Sequence, residues 1–230
     1  MDAGWWMLNS LKNSFIMSVN DSIKIILGLL CIGYALKSVP DQTPSSVCMK
    51  VPESAILQAG DLIFIEGSGY LSELFRNCAR RDRSYSHAGI VVRTETDSLV
   101  IAHMEMVKQG DSSDFHLESI QSFISTSRSW GIYRLPLTVA ERQAIAQYAL
   151  YIQKRQPSFD MSFNANDTTE FYCTELLMHA INCTISCDYI KAGTAINGGN
   201  YIAPDDIFLL EDIELIEKHS GSSTLLAKNK

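Results

Sequence analysis

Two apolar segments flanking five polar residues set the strongest constraint on this chain. His87 to Arg93 reads HAGIVVR, Leu99 to Val107 reads LVIAHMEMV, and Thr94 to Ser98 lies between them. Short runs rich in β-branched residues on either side of a polar connector predict two strands joined as a hairpin, so they pair antiparallel. Leu62 to Ile65, after the turn Ala59-Gly60-Asp61, reads as a further strand, as do Gly131 to Leu135 and Ile213 to Ile216. Helical spacing marks Tyr70 to Ala79, with Leu71, Leu74, Phe75 and Cys78 on one side. Thr138 to Gln156 is the clearest helix, opened by a Thr138/Glu141 capping box and stopped by Pro157. Thr169 to Asn182 reads as another, with Asp167 and Glu170 at capping-box positions. Leu117 to Thr126 reads as a short helix, and Pro204 opens one through Leu210. Helices and strands come in blocks and do not alternate as βαβ. That pattern predicts an α+β fold with an antiparallel sheet, not a doubly wound one.

Charge and cysteine usage narrow the function. A net charge of −7, with one basic cluster (Arg80, Arg81, Arg83) interrupted by Asp82, excludes a nucleic-acid binder. Six cysteines without a CxxC predict neither a disulfide-built fold nor a zinc module, and Cys183 and Cys187 have no matching pair. The same cysteine pattern gives no expectation of a metal, and no GxGxxG or GxxxxGK[ST] occurs, so no nucleotide cofactor is expected either. The first fifty residues differ from the rest. Ile25 to Leu36 is apolar and uncharged between Lys24 and Lys37, which suits the core of an export signal, and Ser38 to Ser46 has linker composition. Either translation starts at Met17 and the signal is ordinary, or the segment stays as an anchor. The expected organisation is an export signal or anchor plus linker over 1–50, a catalytic domain over 51–219 and a loose tail over 220–230. Membrane association through 23–36 and a place in the bacterial envelope, periplasmic or anchored at the inner membrane, follow as expectations.

The chemistry converges on few side chains. Cys173 sits at the start of a predicted helix, where unpaired N–H groups and the helix dipole favour a thiolate. A thiolate nucleophile needs a base. His179 lies off the face of Cys173, and His116 and His219 lie in polar stretches and read as solvated. His87 and His103 remain. If Arg93 pairs with Asp97 across a three-residue turn, His87 lies directly opposite His103 on one face of the hairpin. One ring would then take the Cys173 proton and the other would orient it, with Glu105 in reserve for the orienting role. The acids show no glycosidase pairing, and no G-x-S-x-G occurs.

Five segments together carry a resemblance: Ala59-Gly60-Asp61-Leu62-Ile63-Phe64, Tyr85-Ser86-His87-Ala88-Gly89-Ile90-Val91-Val92, Phe159-Asp160-Met161-Ser162-Phe163, Tyr172-Cys173-Thr174-Glu175-Leu176 and Ala203-Pro204-Asp205-Asp206. Histidine first and cysteine later, the chain over 55–217 resembles the permuted papain-like amidases of the YiiX/YebB type, distant relatives of the NlpC cell-wall peptidases. The resemblance implies a circularly permuted papain-like fold, its central antiparallel sheet packed against the helix that carries the cysteine. It implies Cys173 as nucleophile and His87 as general base and acid. Relatives carry a glutamate in a V-x-E-A-like stretch where this chain has Val100-Ile101-Ala102-His103-Met104-Glu105, so His103 departs from that pattern, though a histidine is the usual third member in NlpC peptidases. Tyr85 would border the site, and the Cys173 backbone N–H would serve as oxyanion donor. The implied function is amide hydrolysis through an acyl-enzyme, with peptidoglycan stem peptides as the envelope substrate. The alternatives are a lipid acyl hydrolase or transferase like lecithin:retinol acyltransferase, and a binding module without chemistry.

Overall fold

The computed structural model describes residues 50–220 except 69, 107–112, 166–167, 187, 192 and 197–198. The apolar run Ile25–Leu36 and the tail 221–230 lie outside the described residues. Among those described, no helix is long and apolar enough to cross a membrane.

In chain order the elements are β1 (Leu62–Ile65), α1 (Tyr70–Cys78), β2 (His87–Arg93), β3 (Leu99–Met104), β4 (Phe115–Glu118), α2 (Ile120–Ile124), β5 (Ser129–Arg134), α3 (Val139–Gln153), β6 (Ser158–Phe159), β7 (Glu170–Phe171), α4 (Cys173–Thr184), β8 (Thr194–Ile196), β9 (Gly199–Tyr201), α5 (Pro204–Phe208) and β10 (Glu214–Ser220). Six strands form one sheet in the order β10-β5-β1-β2-β3-β4, and every neighbouring pair is antiparallel. The centre of the sheet is covered on both faces, which explains why LIFI of β1 is apolar throughout and wholly buried. Leu62, Phe64, Ala88, Ile90 and Met104 join the core shared with α3 and α4. Ile63, Ile65, Val91 and Ile101 join a second core with Phe123 and Ile124 of α2. Each fully buried side chain of this size contributes roughly 1.5–3 kcal/mol.

The turn before β1 is fixed by two residues. Gly60 adopts φ +90 where a Cβ would lie 2.3 Å from the Arg142 carbonyl, so only glycine fits. Asp61, buried next to it, takes two hydrogen bonds from the Arg134 guanidinium at 2.7 and 2.8 Å and one from the Gln58 N–H. That pair ties β1 to its neighbour β5.

Several elements differ from the sequence reading. In the β2–β3 hairpin Arg93 pairs with Leu99, not Asp97. Hydrogen bonds from Thr94 N–H to the Ser98 carbonyl and from Asp97 N–H to the Thr94 carbonyl, with Asp97 at φ 64, widen the turn. The shift is two residues, so facing is preserved. Helix α4 starts at Cys173 and not Thr169, because Glu170 and Phe171 pair in parallel with Ser158 and Phe159; Asp167 lies outside the described residues. The segment read as a helix over Leu117 to Thr126 divides. Phe115–Glu118 pairs with β3, and Ser119 then caps α2 by accepting the Ser122 N–H at 3.1 Å. The last strand is longer than Ile213–Ile216 and carries an irregularity between Leu215 and Glu217.

Candidate active site

Cys173 is the first residue of α4, and its neighbours in sequence fix that position. The Tyr172 N–H donates to Glu175 Oε2 at 3.2 Å. The Tyr172 hydroxyl accepts from the Ile202 N–H at 2.9 Å, and the Thr174 hydroxyl donates to the Ile202 carbonyl at 2.6 Å. Each residue of Tyr172-Cys173-Thr174-Glu175 apart from the cysteine is thus spent on locking the helix tip. The late Ala203-Pro204-Asp205-Asp206 segment is structural too. Asp206 accepts from the Ala203 N–H, while Asp205 accepts from the backbone N–H groups of Arg80 and Arg81. The basic cluster is therefore held by its backbone, beside an acid.

The Cys173 thiol is buried. Burial pushes it up to about 11, against the opposing pull of backbone N–H groups from Ala88, Thr174 and Cys173 itself. His87 is pushed well below the usual imidazole range by burial and by the neighbouring His103 ring. Both groups are therefore neutral at pH 7 in the resting protein. They line the same cavity of about 480 Å³, with no hydrogen bond between them among the described residues.

The second ring, His103, lies where the hairpin facing requires. His87 Nε2 and His103 Nδ1 stand 3.0 Å apart, with the rings T-shaped at 5.1 Å. The wider turn makes them diagonal instead of directly opposite, since Ile90 pairs with Ala102. Phe123 of α2 packs against both. Beyond His103 the structure adds His116, which the sequence reading took as solvated, and Glu118, which it did not single out. His116 pairs with His103 across β3–β4 and stacks on it at 5.4 Å, so it is not a solvated histidine. Glu118 presents Oε1 3.6 Å from His103 Nε2, and its Oε2 accepts from the Ser122 hydroxyl at 3.0 Å. The facing His103 ring, then the Ser122 hydroxyl, hold the Glu118 carboxyl down at about 2. Strand alternation in Phe115-His116-Leu117-Glu118 was the available signal: it puts His116 and Glu118 on one face.

The other candidates are spread out. Glu105 is exposed at the cavity wall. One donor atom from each of His103, Glu105 and Glu118 lies within 4.8 Å of the others. Tyr85 does not line the cavity; it is buried among Phe64, Tyr133 and Phe208, and the adjacent Ser86 lines the cavity in its place. His179 packs against Tyr148 and Phe171, 3.5 Å from the Cys183 sulfur, away from Cys173. His219 stacks on Trp130.

Comparison with known proteins bears on the fold and the family. No curated protein matches the chain. Among solved structures it is similar to one described as metalloprotein yiiX from Escherichia coli O157:H7. The two are 18% identical, the likeness covers 71% of this chain and 98% of that one, and the TM-score is 0.54, which establishes a shared fold. Residues 56–195 match the family described as permuted papain-like amidase enzyme, YaeF/YiiX, C92 family. Since that span takes in the strands bearing both histidines and the helix bearing Cys173, and more than half of the sequence, the chain belongs to the permuted papain-like amidases.

Proposed function

We propose that the protein is a cysteine amidase in which Cys173 attacks an acyl carbon, His87 moves the proton and His103 orients His87. The observation that carries this is the line of contacts from His87 through His103 to Glu118. An ionised Glu118 favours a proton on His103 Nε2, which leaves His103 Nδ1 as an acceptor. His87 must then donate from Nε2, so its Nδ1 keeps a lone pair and is the base the cavity offers. Because thiol and imidazole are both neutral at rest, proton transfer accompanies attack and no stored ion pair is needed. The tetrahedral oxyanion falls to the Cys173 N–H at the tip of α4. The leaving amine takes the proton back from His87, and water then releases the acyl group.

The cavity wall sets the hydroxyls and carboxylates of Ser68, Ser72, Ser86, Ser122, Glu105 and Glu118 beside the apolar side chains of Ile65, Phe75, Met104, Met106, Phe123 and Phe159, a mixed lining that offers a peptide both polar and apolar partners. Peptidoglycan stem peptides in the bacterial envelope are the substrate class we favour, reached by export through the Ile25–Leu36 run. The test is to offer muropeptides and phospholipid vesicles to the protein and to Cys173→Ala, and to search the Cys173 peptide for an acyl adduct by mass spectrometry. Amine release with an adduct on Cys173, absent from the variant, is expected from muropeptides. Fatty-acid release with the same adduct would favour the lipid reading, and neither product would overturn the assignment.

A further inference from the structure

His103 carries a polar atom that the proton relay alone does not satisfy. The residue is 1% exposed, and its Nε2 has no hydrogen-bond partner. The Glu118 oxygen it faces is 3.6 Å away, beyond the ~2.7–2.9 Å of a charge-assisted hydrogen bond. Two ligands bound at ~2.0–2.1 Å to a tetrahedral Zn²⁺ stand about 3.3 Å apart, much nearer to what is seen. Glu105 supplies a third donor atom within 4.8 Å of the other two. Glu105 is exposed and Glu118 is 30% exposed, and both line the open cavity, so an ion has a way in.

We propose that His103 Nε2, Glu105 and Glu118 form a site for a divalent transition-metal ion, and that an ion held there silences His87 as a base. One imidazole and two carboxylates balance the charge of a divalent ion. That donor set suits Zn²⁺ and its first-row neighbours and disfavours Ca²⁺ and Mg²⁺, which prefer oxygen alone. This replaces the expectation, drawn from the missing CxxC patterns, that the chain offers no metal site. The consequence for His87 follows from proton positions. A metal takes the lone pair of His103 Nε2, so the His103 proton moves to Nδ1. Nδ1 then donates across the 3.0 Å contact to His87 Nε2, and the His87 proton must sit on Nδ1. The nitrogen that would accept the thiol proton no longer has a lone pair. Removing the ion reverses both tautomers. The silencing rests on the proposed Cys173–His87 chemistry, whereas the site itself does not.

The full chain is stripped with a chelator and titrated with Zn²⁺ by calorimetry, alongside Cys173→Ala, Glu105→Gln and Glu118→Gln, with thermal unfolding as the check on folding. One ion per chain is expected in the unmodified protein and in Cys173→Ala, with affinity at least tenfold weaker in each glutamate variant. Co²⁺ should give a ligand-field absorption band that Glu105→Gln weakens. Lack of binding at millimolar Zn²⁺, binding unchanged in both glutamate variants, or binding lost in Cys173→Ala would each overturn the site. Amide hydrolysis by the unmodified protein should fall at least tenfold when Zn²⁺ is stoichiometric and return with chelator; full activity with the ion bound would overturn the silencing. If the chain hydrolyses no amide, the reading of Cys173 fails while the titration still decides the site.

Discussion

The two halves of the candidate active site are built in different ways. On the thiol side, consecutive residues act on a single backbone point. Tyr172 and Thr174 grip the N–H and carbonyl of Ile202, and Glu175 caps the turn, so Cys173 starts the helix. On the imidazole side nothing is contiguous. His87, His103 and Glu118 come from three strands and meet through the pairing of β2 with β3 and of β3 with β4. The first half is a local structure stabilised by side-chain-to-backbone bonds. The second is a product of register, and a slip of one residue in either hairpin would turn its histidine to the opposite core.

The largest expected effect is one that both halves share. Cys173→Ala and His87→Ala should each lower amide hydrolysis by at least ~10³-fold, because groups acting as a unit lose nearly everything when either is removed. Combining the two should cost little more than either alone. If His87→Ala keeps more than a tenth of the activity, the imidazole half is not coupled to the thiol.

The second prediction separates the halves in the resting protein. A thiol near 11 holds a thiolate fraction at pH 7 about 300-fold below that of an unperturbed cysteine near 8.5. Alkylation of Cys173 should therefore be slow at neutral pH and climb about tenfold per pH unit up to roughly pH 10. The exposed Cys183 provides the internal comparison. His87→Ala should leave that profile in place. A plateau in the Cys173 rate beginning near pH 6 would mean that a stored ion pair exists and that the halves are joined before substrate arrives.

Glu118→Ala probes the imidazole half alone. Losing the carboxylate leaves the two rings free to adopt the opposite tautomers, and the activity should fall about 10–10²-fold, within the span of general acid–base effects. Glu118 in the intact protein is held at about 2 and stays charged above that, so it contributes no acid limb in the range from pH 4 to 7. Glu118→Asp should recover part of the activity if charge at this place is what matters, and an unchanged rate in Glu118→Ala would remove Glu118 from the relay.

How much was legible in the sequence follows the same division. The thiol half could be read because its residues are neighbours: Cys173 at a helix start, followed by Glu175. Even there the first turn was misplaced, since Glu170 and Phe171 look helical by composition and are drawn into a two-residue parallel ladder by Ser158 and Phe159, a contact no local pattern announces. On the imidazole side, His87 and His103 could be put on one face because strand facing depends only on parity, which survived a two-residue error in the turn. His116 and Glu118 could not be found once Leu117 was read as the start of a helix. A four-residue edge strand has too few residues to display alternation against a helix that begins two positions later. Asp61 with Arg134, and Asp205 with the Arg80–Arg81 backbone, were visible as motif letters but not as partners, because long-range pairing is set by the finished sheet.

The smallest effect expected on chemistry is also the cleanest test of how the thiol half is held. Thr174 is buried, and its hydroxyl gives the Ile202 carbonyl a 2.6 Å hydrogen bond. Thr174→Val preserves shape and β-branching but leaves that carbonyl without its side-chain donor, at a cost of ~1–3 kcal/mol in unfolding free energy by denaturant titration. Thr174→Ser keeps the hydroxyl and should recover most of the loss, which a purely steric role would not allow. Because the Tyr172 and Glu175 contacts remain, the helix should still begin at Cys173, and the folded fraction should hydrolyse amides within a few-fold of the unmodified rate. A collapse in activity without a loss of stability would show that the Ile202 clamp positions Cys173 for chemistry. The two halves would then differ less than their construction suggests, with each depending on a single contact at long range.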